Sequence, residues 1–353
     1  MIRRGTAIVM LRISDAGHEC CSLFPIPYSL FPVPCSLFPV LSTGTLRTVQ
    51  LASETRLRVA AIGFLNPAPL MWDFDHPPLA SELARRYQVE SMTPSECADR
   101  LANGTADIGL VPIAALATTP GLRVLPGCTI ASKGRVRSLL LVRRAMRPLE
   151  EVRSIAADIA SRTTLVYARI LLHKWGNPAV PFVPMAADLD AMLDRADAAI
   201  VIGDPALLAL EERANRVERT GEELVYHDLA EEWDSLMGTA FVSAVWAAGP
   251  ACSSSHDEII TEDLIRSRDH GLANIDALVA EWDRKLPISE QTIRSYLTAN
   301  IHYVLDEECI QGMREFFQKA AEIGALPVYR LPPFAGAAHA TSSGGNPSVS
   351  KRA

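Results

Sequence analysis

The sequence predicts a two-lobed α/β protein whose lobes are joined by two hinge crossings. Three observations carry this expectation. Apolar runs of strand length alternate with stretches of helical period, the alternation starts again as a second block at Pro148, and a long strand-like run stands at each junction. Such alternation builds parallel, right-handed βαβ units. A chain of 353 residues has room for two domains, and 48% hydrophobic against 21% charged residues suits a sizeable core rather than disorder.

In chain order, Leu57–Ile62 is a short apolar run suited to a buried parallel strand, and Gly63-Phe64-Leu65-Asn66-Pro67 turns the chain after it. Residues 79–87 have helical periodicity and 88–92 read as a strand. Thr93, Pro94 and Glu96 then form an N-cap, a first-turn proline and a capping box, and Asn103-Gly104 ends that helix. Strands are expected at 106–111, 122–125 and 137–142, with a short helix from Ile113. In the second block the strands are 154–157, 180–183, 198–202 and 225–227, and the helices are 161–175, 187–195 and one opened by Gly203-Asp204-Pro205. The last strand is 241–247, and 257–323 is mostly helical. The runs 137–142 and 241–247 are the expected crossing strands.

Residues 22–41 repeat the unit S-L-F-P-[IV]-P at a seven-residue step, twice in full and once in part. Prolines at 25, 27, 32, 34 and 39 forbid a helix and strip donors from a strand. Arg3 and Arg4 precede a short apolar run, but no clean cleavage site follows, so an extension outside the fold is expected rather than a signal peptide. The expected organisation is an N-terminal extension at 1–56, a first lobe at 57–142, a second lobe at 143–240, a mostly helical return to the first lobe at 241–330, and a Gly, Ala and Ser-rich disordered tail at 331–353.

The formal charge of −7 argues against a nucleic-acid partner, because an acidic chain repels a phosphate backbone. It leaves room for an anionic small molecule, since local arginines and backbone N–H groups outweigh distant surface charge. No run of the chain reads as a membrane span. The seven cysteines, at 20, 21, 35, 97, 128, 252 and 309, form no C-x-x-C pair and no zinc spacing, so buried free thiols in a reducing cytoplasm are expected. H-E-x-x-H, G-x-x-x-x-G-K-[ST], G-x-G-x-x-G and G-x-S-x-G are absent, which leaves metalloprotease, nucleotide-dependent and serine-hydrolase chemistry without local support. No motif sets an oligomeric state.

In an open α/β sheet, ligands sit beyond the carboxyl ends of strands, so a site between two lobes would collect the strand-to-helix turns. Asn66 either bonds its own backbone in a tight turn or offers its amide to the cleft. The loop 130–138 (I-A-S-K-G-R-V-R-S) supplies Ser132, Gly134, Arg137 and Ser138 as candidates for an anion nest with a bidentate arginine; solvation is the simpler reading for Lys133 and Arg135. Ser161, Arg162, Thr163 and Thr164 open a helix, either as an anion site or merely as its cap. Asp204 is most simply an N-cap, at a turn that should face the same cleft.

Together these turns resemble the chorismate dehydratases of the futalosine route to menaquinone. The resemblance rests on F-L-N-P-A-P-L at 64–70, A-D-I-G-L-V-P at 106–112, P-G-C-T-I-A-S-K-G-R-V-R-S at 126–138, S-R-T-T at 161–164, I-G-D-P-A-L at 202–207, D-L-A-E-E-W at 228–233, F-V-S-A-V-W at 241–246 and Y-L-T-A-N-I-H-Y at 296–303. Each motif alone is weak; their order and spacing over 57–326 are specific. The fourth departs from the family's S-R-T-S at Thr164.

The resemblance implies a type II periplasmic-binding-protein-like fold used as an enzyme, a carbon–oxygen lyase that needs neither cofactor nor metal. Its implied substrate is chorismate and its product 3-[(1-carboxyvinyl)oxy]benzoate. Asn66 is the catalytic candidate. It is too weak a base to take a proton from carbon, which leaves the enolpyruvyl carboxylate of chorismate itself, or Asp204, for that role. The competing readings are a solute-binding protein for a small carboxylate, the naphthoate-forming enzyme of the same pathway, and a cytoplasmic ligand sensor.

Overall fold

The computed structural model describes residues 56–331. The proline repeat and the tail from 332 onward lie outside the described residues. Two mixed sheets form two lobes. The first sheet has six strands in the order β11-β4-β10-β3-β1-β2, where β1 is Leu57–Ile62, β2 Tyr87–Met92, β3 Ile108–Pro112 and β4 Arg123–Ser132. The second has five in the order β7-β6-β8-β5-β9, where β5 is Leu139–Arg144, β6 Ile155–Asp158, β7 Phe182–Met185, β8 Ala198–Ile202 and β9 Leu224–Asp228. The chain returns to the first sheet through β10, Phe241–Ala248, and β11, His302–Val304.

Apolar runs become central strands. β3 and β8 are buried at every position, as expected of strands covered on both faces. β1 pairs parallel with β2 and β3, and β6 parallel with β7 and β8. One incoming strand is inserted antiparallel into each sheet: β10 between β3 and β4, and β5 between β8 and β9.

This corrects the expected crossing strands. The runs 137–142 and 241–247 do not bridge the lobes, because β5 pairs wholly within the second sheet and β10 wholly within the first. The crossings are the irregular segment 133–138 and the stretch between β9 and β10. Asp228 ties them together. Its carboxylate caps the helix Leu229–Met237 through the N–H groups of Ala230 and Glu231, and it also accepts from Val136 at 3.1 Å and Arg137 at 2.6 Å. Arg137 is held there in the left-handed region, at φ 68°.

Other differences are local. β4 runs on to Ser132, through residues expected in a loop, because its far half is paired by both β10 and β11. The three-residue β11 was not expected; it interrupts the helical region after a π-helical turn at Tyr296–Asn300. The Thr93 capping box is present, with Glu96 Oε2 accepting from the Thr93 N–H at 2.8 Å. The described cysteines, Cys97, Cys128, Cys252 and Cys309, are free and buried. No described helix is long and apolar enough to cross a membrane.

Candidate functional site

A narrow cleft of about 460 Å³, counting its open mouth, lies between the lobes. The first lobe contributes Phe64 and Asn66 from the turn after β1, Pro94, Pro112, and Ser243 with Ala244 from β10. The second contributes the turn 160–164, Leu139 at the start of β5, and Ile202 with Gly203 at the end of β8. A register shift between β10 and β4 leaves Ser243 as the extra residue of a bulge, a device that re-aims a side chain beside a site.

Among the described residues, Arg162 is the one charged residue on the cleft wall, and no carboxylate lines it. The helix Thr163–Lys174 also starts here, so its unpaired first-turn N–H groups and positive dipole end face the space. The wall therefore suits an anion. Two of its polar atoms, Asn66 Oδ1 and Ser161 Oγ, are buried with no hydrogen-bond partner among the described residues. Leaving a buried polar atom unpaired is unfavourable by about 1–3 kcal/mol. Such orphans in a cleft are places where a ligand or an ordered water completes the bonding.

Neither simple reading of these turns holds. Asn66 Oδ1 does not bond its own backbone, and the helix Thr163–Lys174 has Arg162 at its N-cap position with no side-chain cap. Its turn is held instead by Asp158, whose Oδ1 accepts from the Ala160 N–H at 2.9 Å. Thr163 Oγ1 accepts from the Ala114 N–H of the first lobe at 3.1 Å. Arg162 pairs with Asp99 at 2.6 Å, also across the lobes. Thr164 is buried in the wall.

Asp204 does not cap its helix, Gly203–Glu211. Its Oδ1 accepts from the Leu65 N–H of the opposite lobe at 3.0 Å. Burial raises its carboxyl to about 6, against a smaller lowering by the Leu65 N–H. It stands behind the wall, next to the lining residue Gly203.

The structure does not bring all of loop 130–138 to the cleft. Ser132 Oγ donates to Gly134 O at 2.7 Å within its own loop, and neither residue lines the space. Arg137 opens on a separate polar hollow with Arg135, Arg213 and Tyr226. Ser138 is buried immediately behind the lining residue Leu139; its carbonyl accepts from the Gly203 N–H at 2.8 Å and its hydroxyl from Tyr296 at 2.7 Å. Phe64, Ser243 and Tyr296 were not singled out from sequence, although Phe64 and Tyr296 lie inside two of the motifs quoted above and Ser243 inside a third.

Among the described residues His302, Asp306 and Cys309 gather as in a metal site. The Lys133 ammonium sits 2.7 Å from Asp306 Oδ2, and burial pushes the Cys309 thiol up to about 12. An ammonium in place and a protonated thiol oppose a bound cation.

Among solved structures, protein AF1704 of Archaeoglobus fulgidus is similar over 77% of this chain and 98% of its own, at 15% identity and a TM-score of 0.59. The alkanesulfonate-binding protein SsuA of Xanthomonas axonopodis pv. citri, solved with MOPS, matches over 78% and 96% at 16% identity and a TM-score of 0.56. The Candida albicans CA3427 gene product, described as having the generic periplasmic binding protein fold, matches over 78% and 92% at 15% identity and a TM-score of 0.55. At these identities the likeness is one of fold, and it meets the expectation of a two-lobed periplasmic-binding-protein-like architecture. Residues 57–322 match the model of a family described as menaquinone biosynthesis, and the chain belongs to that family.

Proposed function

We propose that the protein is a cytoplasmic chorismate dehydratase, which eliminates water from chorismate to give 3-[(1-carboxyvinyl)oxy]benzoate. The observation that carries the reading is the unpartnered Asn66 Oδ1 in a cleft that no carboxylate lines among the described residues. Chorismate is a dicarboxylate with one hydroxyl. The helix N-terminus at Thr163 and the Arg162 guanidinium suit its carboxylates; the Asn66 amide and the Ser161 hydroxyl suit its oxygens. The four buried free thiols among the described residues fit a reducing compartment.

The reaction is an elimination. A base takes the hydrogen at C3, which is vinylogous to the ring carboxylate, so the electron pair delocalises into a dienolate. The pair then expels the C4 hydroxyl, which leaves as water with one proton, and the ring becomes aromatic. Aromatisation drives the step. The protein's part is to hold both carboxylates, to stabilise the developing charge with fixed donors, and to exclude water.

For the base, the substrate's own enolpyruvyl carboxylate needs only to be held folded over C3. Asp204 is the weaker candidate, because it stands behind the wall with Oδ1 engaged by Leu65. Asp204→Asn separates the two: retained turnover assigns the proton to the substrate, and loss of more than about 1000-fold assigns it to Asp204. The reading as a whole is tested by incubating purified protein with chorismate and following the aromatic product by ultraviolet absorbance and mass. Binding of chorismate without turnover would make the protein a solute binder, and neither binding nor turnover would end the proposal.

A further inference from the structure

Ser138 is oriented by a side chain from a distant part of the chain. The helix Glu290–Ser295 passes into a π-helical turn at Tyr296–Asn300, where the Ile301 N–H donates five residues back to Tyr296 O at 3.1 Å. Such wide turns shift the direction of the following residues and are frequent at functional sites. This one buries the Tyr296 ring completely and brings its hydroxyl 2.7 Å from Ser138 Oγ, to which it donates.

A serine hydroxyl has two lone pairs and one proton. The bond from Tyr296 takes a lone pair and leaves the Ser138 proton unspent. Ser138 also holds the Gly203 N–H on its carbonyl, so it links the tyrosine to the turn that carries Asp204. Burial lifts the Tyr296 hydroxyl far above its ordinary range; the hydrogen bond with Ser138 works the other way without undoing this. At neutral pH the group is a fixed donor and not a base, which leaves orientation as its role.

We infer that Tyr296 is a positioning residue, which fixes the Ser138 hydroxyl and, through the Ser138 carbonyl on the Gly203 N–H, holds the turn at Gly203 that lines the cleft. The inference rests on the dehydratase reading for its catalytic consequence, and on the Tyr296–Ser138 contact alone for its physical one.

Tyr296→Phe keeps the ring and removes the donor. We expect kcat on chorismate to fall roughly tenfold, the value of one neutral hydrogen bond, with KM within about twofold. Ser138→Ala should be slower still, and the double variant no slower than Ser138→Ala, because the tyrosine acts through the serine. Wild-type kcat in Tyr296→Phe, or effects that multiply in the double variant, would overturn the inference. A second arm needs no turnover. In Ser138→Cys the thiolate absorbance is titrated with and without Tyr296→Phe, taking the protein without the cysteine change as the blank. Loss of the donor should raise the apparent thiol pKa, and an unchanged titration would overturn the contact. A wild-type protein inert toward chorismate would sink the dehydratase reading, and the thiol titration would still judge the Tyr296–Ser138 pair.

Discussion

The carboxylate of Asp204, in the second lobe, accepts the N–H of Leu65, in the first, at 3.0 Å. One residue away the lobes touch again, where Gly203 backs onto the Phe64 ring. Asp204, expected to be a helix cap, thus serves as a tie between lobes at the edge of the cleft.

This tie has a pH signature. Burial raises the Asp204 carboxyl from its ordinary 3.8 to about 6. A carboxyl that binds its proton more tightly when folded contributes stability below its unfolded pKa and loses it as pH rises through the folded one. The wild-type protein should therefore lose on the order of 2–3 kcal/mol from this group between about pH 4 and pH 6, at about 1.36 kcal/mol per unit. Asp204→Asn keeps an oxygen for Leu65 but carries no charge. Its melting temperature, measured by calorimetry across that window, should rise relative to wild type with increasing pH. Parallel curves would show that Asp204 does not titrate there.

Two hydroxyls in one turn should respond in opposite ways. Ser161 Oγ has no partner, so Ser161→Ala should leave the melting temperature unchanged or higher while raising KM for chorismate about tenfold. Thr163 Oγ1 holds the Ala114 N–H, so Thr163→Val orphans a buried donor and should destabilise the fold by about 1–3 kcal/mol. Thermal melts and initial rates on both variants check the pair. A destabilised Ser161→Ala with normal KM would return that hydroxyl to a structural role.

Glycines separate strain from contact. Gly203 and Gly221 share a left-handed backbone, at φ 63° and 67°, but a Cβ on Gly203 would lie 2.6 Å from the Phe64 ring while one on Gly221 would meet nothing within 4 Å. Gly221→Ala should lose about 1 kcal/mol from backbone strain alone. Gly203→Ala should lose about 1–3 kcal/mol more from overpacking, and should slow turnover because the ring it displaces lines the cleft. Equal losses in denaturant titrations would mean that the lobes do not meet at Phe64.

What the sequence disclosed followed the range of each interaction. The Thr93 capping box closes over three residues and was legible with its partners, and so were β3 and β8, whose unbroken apolar runs state their own burial. The crossings were misplaced because a strand's sheet depends on partners far away: β5 pairs with residues 224–228, and β4 extends through a loop-like segment only because β10 and β11 flank it. Site residues followed the same rule. The candidate turns at Asn66, at 161–164 and at Gly203 lie at strand ends and line the cleft, whereas the candidate Arg137 opens on another hollow because Asp228, ninety-one residues on, fixes its backbone. Tyr296 reaches Ser138 across 158 residues, and no local pattern encodes that contact.

The sharpest remaining test is Asn66. Its Oδ1 is buried and unpartnered among the described residues, so the amide contributes no hydrogen bond through that oxygen to the fold. If the oxygen's partner is the substrate in its eliminating geometry, the contact is made mainly in the transition state, and its loss should fall on kcat rather than KM. Removal of one preorganised polar contact of this kind slows a reaction by roughly 100- to 1000-fold. Asn66→Ala should thus show a deep loss of kcat, a modest change in KM, and a melting temperature equal to or above wild type, since an unsatisfied group has been removed. A purely structural Asn66 would give the reverse: a lower melting temperature with normal kcat per folded molecule. Calorimetry and steady-state kinetics on the same preparation distinguish the two, and a destabilised but fully active Asn66→Ala would end its catalytic assignment.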